Sequence, residues 1–388
     1  MRFINFFIVI FFTFSFFMDL IEASNQCEAN SRIEHHILKS TEIGDIHLTV
    51  VTPKNYVAEL TAKFPILYQL DGGSFADIYP KLMDGMADAD EIPRIIYVGI
   101  HTSDRFRDFT RKTKTENRPD VIGFLYAVKD LVIPFIEKKY RSVPFRIFSG
   151  HSLGGLAVFE SLIAFPNLFN AIFAIDPSLW YWDENKFTIN LASLKEVGDS
   201  FIYTALSGKA FGPPSGYESD FKWTQKIHKA LPKTVKFSSH EDQSAGHISI
   251  AYSDFVKALR ELFNDLLLSN HVVAKLQKPE DLLEHKKALS DRYHFKIEAK
   301  EFDFEHIASV NVRFGGDPKI GVLFAEYGIK HFPENPRFHL ILGDALIKLG
   351  NKKEGKEEHA KACAIAKTVK IDWPDCSIQT EVELEIVR

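Results

Sequence analysis

Ser152 is the residue with the clearest chemical context in this sequence. It lies in Gly150-His151-Ser152-Leu153-Gly154-Gly155, with the apolar stretch Phe145–Ser149 before it and a helical segment from Leu156 after it. Glycines on both sides suit a sharp strand-to-helix turn, where the backbone is strained and side chains would collide. A serine hydroxyl is a weak nucleophile until a base removes its proton, so this pattern asks for a histidine later in the chain. His247, in Ser244-Ala245-Gly246-His247-Ile248-Ser249-Ile250, follows the last expected strand and precedes the last helix of this region. His228 and His240 fall within the preceding helix and at a strand end, positions that suit ordinary surface histidines.

A third group must orient the imidazole, and it is expected after the strand Phe201–Leu206. Between Ser207 and Phe221 the carboxylates are Glu218 and Asp220. With Ser219 read as a helix N-cap, Glu218 stays on the loop and Asp220 becomes a first-turn residue favoured there by the helix dipole. Glu218 is therefore the preferred acid. Asp220 and a Ser-His dyad remain open, and Glu241 and Asp242 are nearer His247 in sequence. For an oxyanion, the Leu153 N–H is one expected donor, and Asp71-Gly72-Gly73-Ser74 should supply the second, with Gly73 preferred. No cofactor or metal is required.

The elements expected to position these groups lie between about Ile33 and Asn264, where short apolar runs alternate with amphipathic helical stretches. That alternation predicts an α/β fold with a mostly parallel central sheet. The expected strands are Ile46–Thr52, Ile66–Leu70, Ile95–Ile100, Phe145–Phe148, Ala171–Ile175, Phe201–Leu206 and Val235–Ser238. A helix over Val121–Tyr140 contains Pro134, a point for a kink. The 388-residue chain is 45% hydrophobic, enough for a sizeable core, and its net charge of -5 gives no electrostatic case for nucleic acid.

Met1-Arg2 followed by the apolar run Phe3–Met18 reads as a signal peptide over residues 1–23, hence a secreted or periplasmic protein. An uncleaved anchor is the alternative. Cys27, Cys363 and Cys376 allow one bridge at most, with Cys363 and Cys376 the closer pair, and are read as inert. Residues 265–300 read as a helical connector, 301–370 as a small all-α region and 371–388 as a tail. Within the all-α region a 34-residue period sets Gly321 and Gly355 at equivalent close-crossing positions, with Leu342-Gly343, Ala362 and Phe332-Pro333 where tetratricopeptide repeats carry Leu-Gly, Ala and Pro. Such a region suggests a protein partner.

Four segments resemble the putative-esterase family of α/β-hydrolases, which includes siderophore, feruloyl-type and esterase-D-like enzymes. They are Leu67–Gly72, Gly99–Thr110, the serine turn and Pro177–Trp182. The chain departs from the family pattern at Asp176, where Ser is common, and at Ile248, where Gly is common. The resemblance implies hydrolysis of a small-molecule ester, siderophore-like or smaller, through an acyl-enzyme. An acyltransferase on the same site and a degenerate scaffold are the alternatives. Arg105 and Arg107 suit an anionic substrate group, or an ion-pair network with Asp104 and Asp108. Trp180, Tyr181 and Trp182 suit either an aromatic substrate pocket or a cap on the sheet.

Overall fold

The computed structural model describes residues 33–209, 213 and 215–370; residues 1–23, where a signal peptide is expected, Cys27, Cys376 and residues 371–388 lie outside the described residues. The chain divides into two compact units, one reaching Leu267 and the other beginning at Leu268.

The first unit is built on an eight-stranded sheet ordered β1-β2-β4-β3-β5-β6-β7-β8. Its strands are β1 (Ile33–Ser40), β2 (Gly44–Val51), β3 (Phe64–Leu70), β4 (Ile96–His101), β5 (Ser142–His151), β6 (Ala171–Ile175), β7 (Phe201–Lys209) and β8 (Lys236–Gly246). Burial follows the sequence pattern. Every residue of β3 and β6 is buried, as continuous apolar runs in the middle of a parallel sheet should be. The edge strand β1 alternates in exposure; its interspersed polar residues hide it from a search for apolar runs. β1–β2 and β2–β4 pair antiparallel, and the other neighbours pair parallel, giving an α/β-hydrolase fold.

Flanking helices are α1 (Tyr79–Asp88), α2 (Arg105–Phe109), α3 (Val121–Ala127), α4 (Ile133–Lys139), α5 (Leu153–Ala164), α6 (Trp180–Glu184), α7 (Gly216–Ala230) and α8 (Ser249–Leu262). A π-helical turn, Val128–Val132, joins α3 to α4. Its cause is local: Pro134 has no N–H to donate, and the Ile133 N–H bonds Val128 O, one residue further back than in an α-helix. Helix α5 is buried through most of its length, consistent with its Gly, Ala, Leu, Val and Phe content.

Register aligns the carboxyl ends of the parallel strands. His151 pairs Ile175, Ile175 pairs Ala205, and Ser207 pairs Asp242. The C-terminal ends of β5, β6, β7 and β8 thus share one edge, where open α/β sheets carry their sites. Close backbone contact shapes that edge. A Cβ at Gly150 would lie 2.4 Å from the Gly154 carbonyl carbon, and one at Gly72 only 2.1 Å from Gly99 Cα.

The second unit contains α9 (Asn270–Val273), α10 (Pro279–Tyr293), α11 (Glu301–Arg313), α12 (Pro318–His331), α13 (Pro336–Lys348) and α14 (Lys352–Thr368). Its core includes Phe304, Ile307, Ala308, Phe324, Ala325, Phe338 and Ile341. Helices cross closely at small residues: a Cβ at Gly321 would meet the Val312 side chain at 2.3 Å, and one at Gly355 would meet Gly343 O at 2.7 Å. Cys363 on α14 is disulfide-bonded, which corrects the expectation of an inert thiol.

Gly150→Ala should force the turn apart and destabilise the protein by about 1–3 kcal/mol, as overpacking does. Chemical denaturation checks this; an unchanged midpoint would show that the close approach is not a constraint.

Candidate active site

Ser152 occupies the turn between β5 and α5 with φ 61° and ψ -121°, backbone angles that cost energy in any residue bearing a Cβ. Neighbouring strands hold it there. Its N–H donates to Ile175 O on β6 at 3.0 Å, and its carbonyl accepts from Leu156 N and from Ser178 N. The buried Ser178 hydroxyl lies 3.3 Å from Ser152 Oγ.

His247 sits between β8 and α8, as expected. Its Nδ1 donates to Asp176 Oδ2 at 2.7 Å, and both side chains are largely buried. Asp176, immediately after β6, is therefore the carboxylate that orients this ring. Glu218 does not reach that place. Helix α7 begins at Gly216 with Ser215 as its N-cap, so Ser219 is not the cap and Glu218 lies exposed in the first turn instead of on a loop. Asp220 is buried and accepts from Trp180 N at 2.7 Å; burial, with Asp176 nearby, pushes its carboxyl up to about 8 despite that bond. The other carboxylates near His247 in sequence are engaged elsewhere: Glu241 accepts from the Tyr217 hydroxyl, and Asp242 from Ser244 N.

Asp176 is held from three directions. Its own N–H donates to Ala205 O at 2.7 Å, while Ser207 at the end of β7 donates its N–H to Oδ1 at 2.8 Å and its hydroxyl to Oδ2 at 2.7 Å. Burial alone would push this carboxyl up. The hydrogen bonds from His247 and Ser207 outweigh burial and hold it below the ordinary carboxylate range. An ionised carboxylate only accepts, so His247 carries a proton on Nδ1, the nitrogen that faces Asp176. Asp176 also has φ +44°, in the left-handed region that Asp tolerates better than most residues.

The sequence offered two signals for Asp176. It stands where relatives of the resembled family commonly carry Ser, and it satisfies the chain order nucleophile, acid, base. The expectation of an acid after β7 passed over it; that strand end supplies Ser207, which holds the acid from the neighbouring strand.

His151 adds a further restraint on His247. Its Nε2 donates to the His247 carbonyl at 2.6 Å, and the two rings are 4.4 Å apart. Burial, aided by the proximity of His247, holds the His151 ring down at about 4, so it is neutral near neutrality. Ligand atoms of His151, Asp176 and His247 lie within 4.8 Å of one another, close enough to surround a cation, but the hydrogen bonds among these residues are those of an oriented base.

Leu153 opens α5 directly after Ser152, so its N–H belongs to the helix's first turn. Gly73 lies in a 3-10 turn over Gly72–Ser74, seated so tightly on His101 that a Cβ would be 2.5 Å from the ring's Cε1. Arg105 forms an ion pair with Asp71 at 2.8 Å and not with Asp104 or Asp108, whereas Arg107 pairs with Asp108 at 2.5 Å. The aromatic run is divided: Trp182 is fully buried and donates to Glu160, Tyr181 is buried, and Trp180 is half-buried. The competing histidines are committed elsewhere, His228 stacked on Phe237 and His240 bonded to Asp254.

The family described as Putative esterase matches residues 40–243. The chain is similar to the Bacillus subtilis (strain 168) protein YbbA, with 24% identity over 243 residues, covering 58% of this chain and 96% of YbbA. It is similar to the ferri-bacillibactin esterase BesA of the same organism, with 31% identity over 147 residues, covering 32% of this chain and half of BesA. Among solved structures, an IroE-like serine hydrolase from Shewanella oneidensis superposes with a TM-score of 0.62 at 22% identity, covering 78% of this chain and all of that one.

A histidine held down in the folded state stabilises the protein fully above its ordinary value of 6.5 and loses that contribution as pH falls toward about 4. Thermal midpoints measured across this window should fall less steeply in His151→Gln than in the unmodified protein. Parallel falls would remove His151 as the cause.

Proposed function

Belonging to the putative esterase family, this chain is a carboxylic ester hydrolase, and we propose that it works through an acyl-enzyme formed on Ser152 with His247 as base and Asp176 as orienting acid. The observation that carries this reading is the 2.7 Å bond from His247 Nδ1 to a carboxylate kept ionised by Ser207. That bond fixes the ring's direction and places a proton on Nδ1, so that in this reading Nε2 is the nitrogen that exchanges protons with Ser152.

In the proposed reaction His247 Nε2 takes the Ser152 proton as Oγ attacks the ester carbonyl, and the carbonyl π electrons move to oxygen. The Leu153 N–H and the Gly73 turn stabilise this oxyanion, a contribution that is often the largest single one in acyl transfer. Collapse of the tetrahedral species breaks the bond to the alkoxide, which leaves with the proton from His247. Water, deprotonated by the same nitrogen, then attacks the acyl carbon, and collapse of this second tetrahedral species breaks the bond to Ser152 Oγ, which takes the proton back from His247 as the acid is released. Asp176 stabilises the imidazolium at each stage without taking its proton.

For the substrate, we propose a small or siderophore-like ester. The similarity to BesA, described as a ferri-bacillibactin esterase, supports that class. The half-buried Trp180 offers an aromatic wall, since its main chain is fixed by Asp220 and its ring lies beside Gly216.

Hydrolysis of p-nitrophenyl acetate provides the test. Ser152→Ala should abolish turnover above background, and Asp176→Asn should lower kcat by about 10²–10⁴-fold through loss of the correct tautomer. Glu218→Gln should retain nearly full activity. Normal turnover by Asp176→Asn, or severe loss in Glu218→Gln, would contradict the assignment of the acid.

A further inference from the structure

The Arg105 guanidinium bridges the two segments assigned above to the oxyanion site. Its Nε donates to Asp71 Oδ1 at 2.8 Å, and its Nη2 donates to the His151 carbonyl at 3.2 Å. Asp71 leads the 3-10 turn that contains Gly73, and His151 is the residue immediately before Ser152. The stem of the clamp is itself supported: the guanidinium carbon lies 5.6 Å above the Phe109 ring, and Arg105 starts α2, whose N-cap Asp104 accepts from Arg107 N.

Asp71 needs an external hold. It sits at φ 53° and ψ 36°, a left-handed conformation, and its side chain makes no capping bond to its own turn. Its carbonyl accepts from Ser74 N, so the rotation of Asp71 sets the direction of the Gly72–Ser74 amides. The second carboxylate oxygen leans over the first turn of α5, where a Cβ at Gly154 would lie 3.3 Å from it. A negative group is favoured at a helix N-terminus, but that attraction is weak and non-directional. A guanidinium fork bonded at two points supplies the missing direction.

We propose that Arg105 is a positioning residue, which locks the Gly73 turn to the Ser152 turn so that the two oxyanion donors keep a common geometry. This rests on the hydrolase reading above. It differs from the use of Arg105 as a binding point for an anionic substrate, in that the Nε and one Nη2 donor act on the protein's own Asp71 and His151. The consequence is specific. Loss of the clamp weakens stabilisation of the developing oxyanion for every ester, whatever its charge, and leaves ground-state binding little changed.

The experiment compares a neutral ester, p-nitrophenyl butyrate, with an anionic one, mono-p-nitrophenyl succinate. Arg105→Gln should lower kcat on both by about 10–100-fold, the scale expected when a reacting geometry slips by a fraction of an ångström to an ångström, with KM nearly unchanged. Arg105→Lys keeps the charge but cannot make both bonds and should fall between. Asp71→Asn should reproduce the kcat loss, and the Asp71→Asn/Arg105→Gln double variant should be no worse than the more severe single one, because the two residues form one device. Circular dichroism melts identify any variant that fails to fold, and Arg105→Lys then carries the test. A rise in KM for the succinate ester alone, with kcat intact, overturns the clamp in favour of substrate recognition. Additive losses in the double variant also overturn it. A wild-type protein inert toward both esters and toward a fluorophosphonate overturns the hydrolase reading and the clamp with it, whereas an active wild type matched by Arg105→Gln overturns the clamp alone.

Discussion

Everything at this site depends on keeping one buried carboxylate charged. Asp176 lies in a place where burial disfavours ionisation, and it stays ionised because three donated hydrogen bonds, two from Ser207 and one from His247, outweigh that cost. The donors come from different parts of the chain, so the charge on Asp176 reports correct pairing of β6 with β7 and correct seating of the His247 loop. A carboxyl group that became neutral there would present a proton to His247 instead of accepting one. The ring would then lose its reason to hold a proton on Nδ1, and with it the orientation that the proposed reaction needs.

Parallel pairing explains how so few residues achieve this. Ser152, Asp176 and Ser207 lie at or just beyond the carboxyl ends of three adjacent strands, β5, β6 and β7, aligned by register. Main-chain bonds cross between them: Ser152 N to Ile175 O, Asp176 N to Ala205 O, Ser178 N to Ser152 O. Two of these residues, Ser152 and Asp176, take positive φ angles that a free chain would avoid. The sheet over-determines both positions and so stores the strain at the carboxyl ends of β5 and β6.

What the sequence revealed was what depends on near neighbours. The Ser152 turn is legible because its glycines answer a steric demand within six residues, and the interior strands because continuous apolar runs can scarcely be anything else in an alternating chain. His247 is legible from its place between a strand and a helix. The carboxylate partner of His247 was not, because the His247–Asp176 bond spans 71 residues and depends on which strand end faces the ring. The position of Glu218 turns on a local detail: the cap of α7 is Ser215, so Glu218 lies on the exposed first turn of the helix and not on a loop. Arg105 shows the same limit. Its nearest acidic residues in sequence are Asp104 and Asp108, yet its partner is Asp71, brought to it by the end of β3. Spacing predicts contacts along an element well and contacts between elements poorly.

The most direct test of the account measures the reactivity of Ser152 without reference to any substrate. Labelling with a fluorophosphonate, followed by peptide mapping, reads how strongly the serine is activated. The account predicts a single adduct on Ser152, formed rapidly in the native protein, orders of magnitude more slowly in Asp176→Asn and at an unchanged rate in Glu218→Gln. An adduct on another residue, or equal rates in the native and Asp176→Asn proteins, would contradict it.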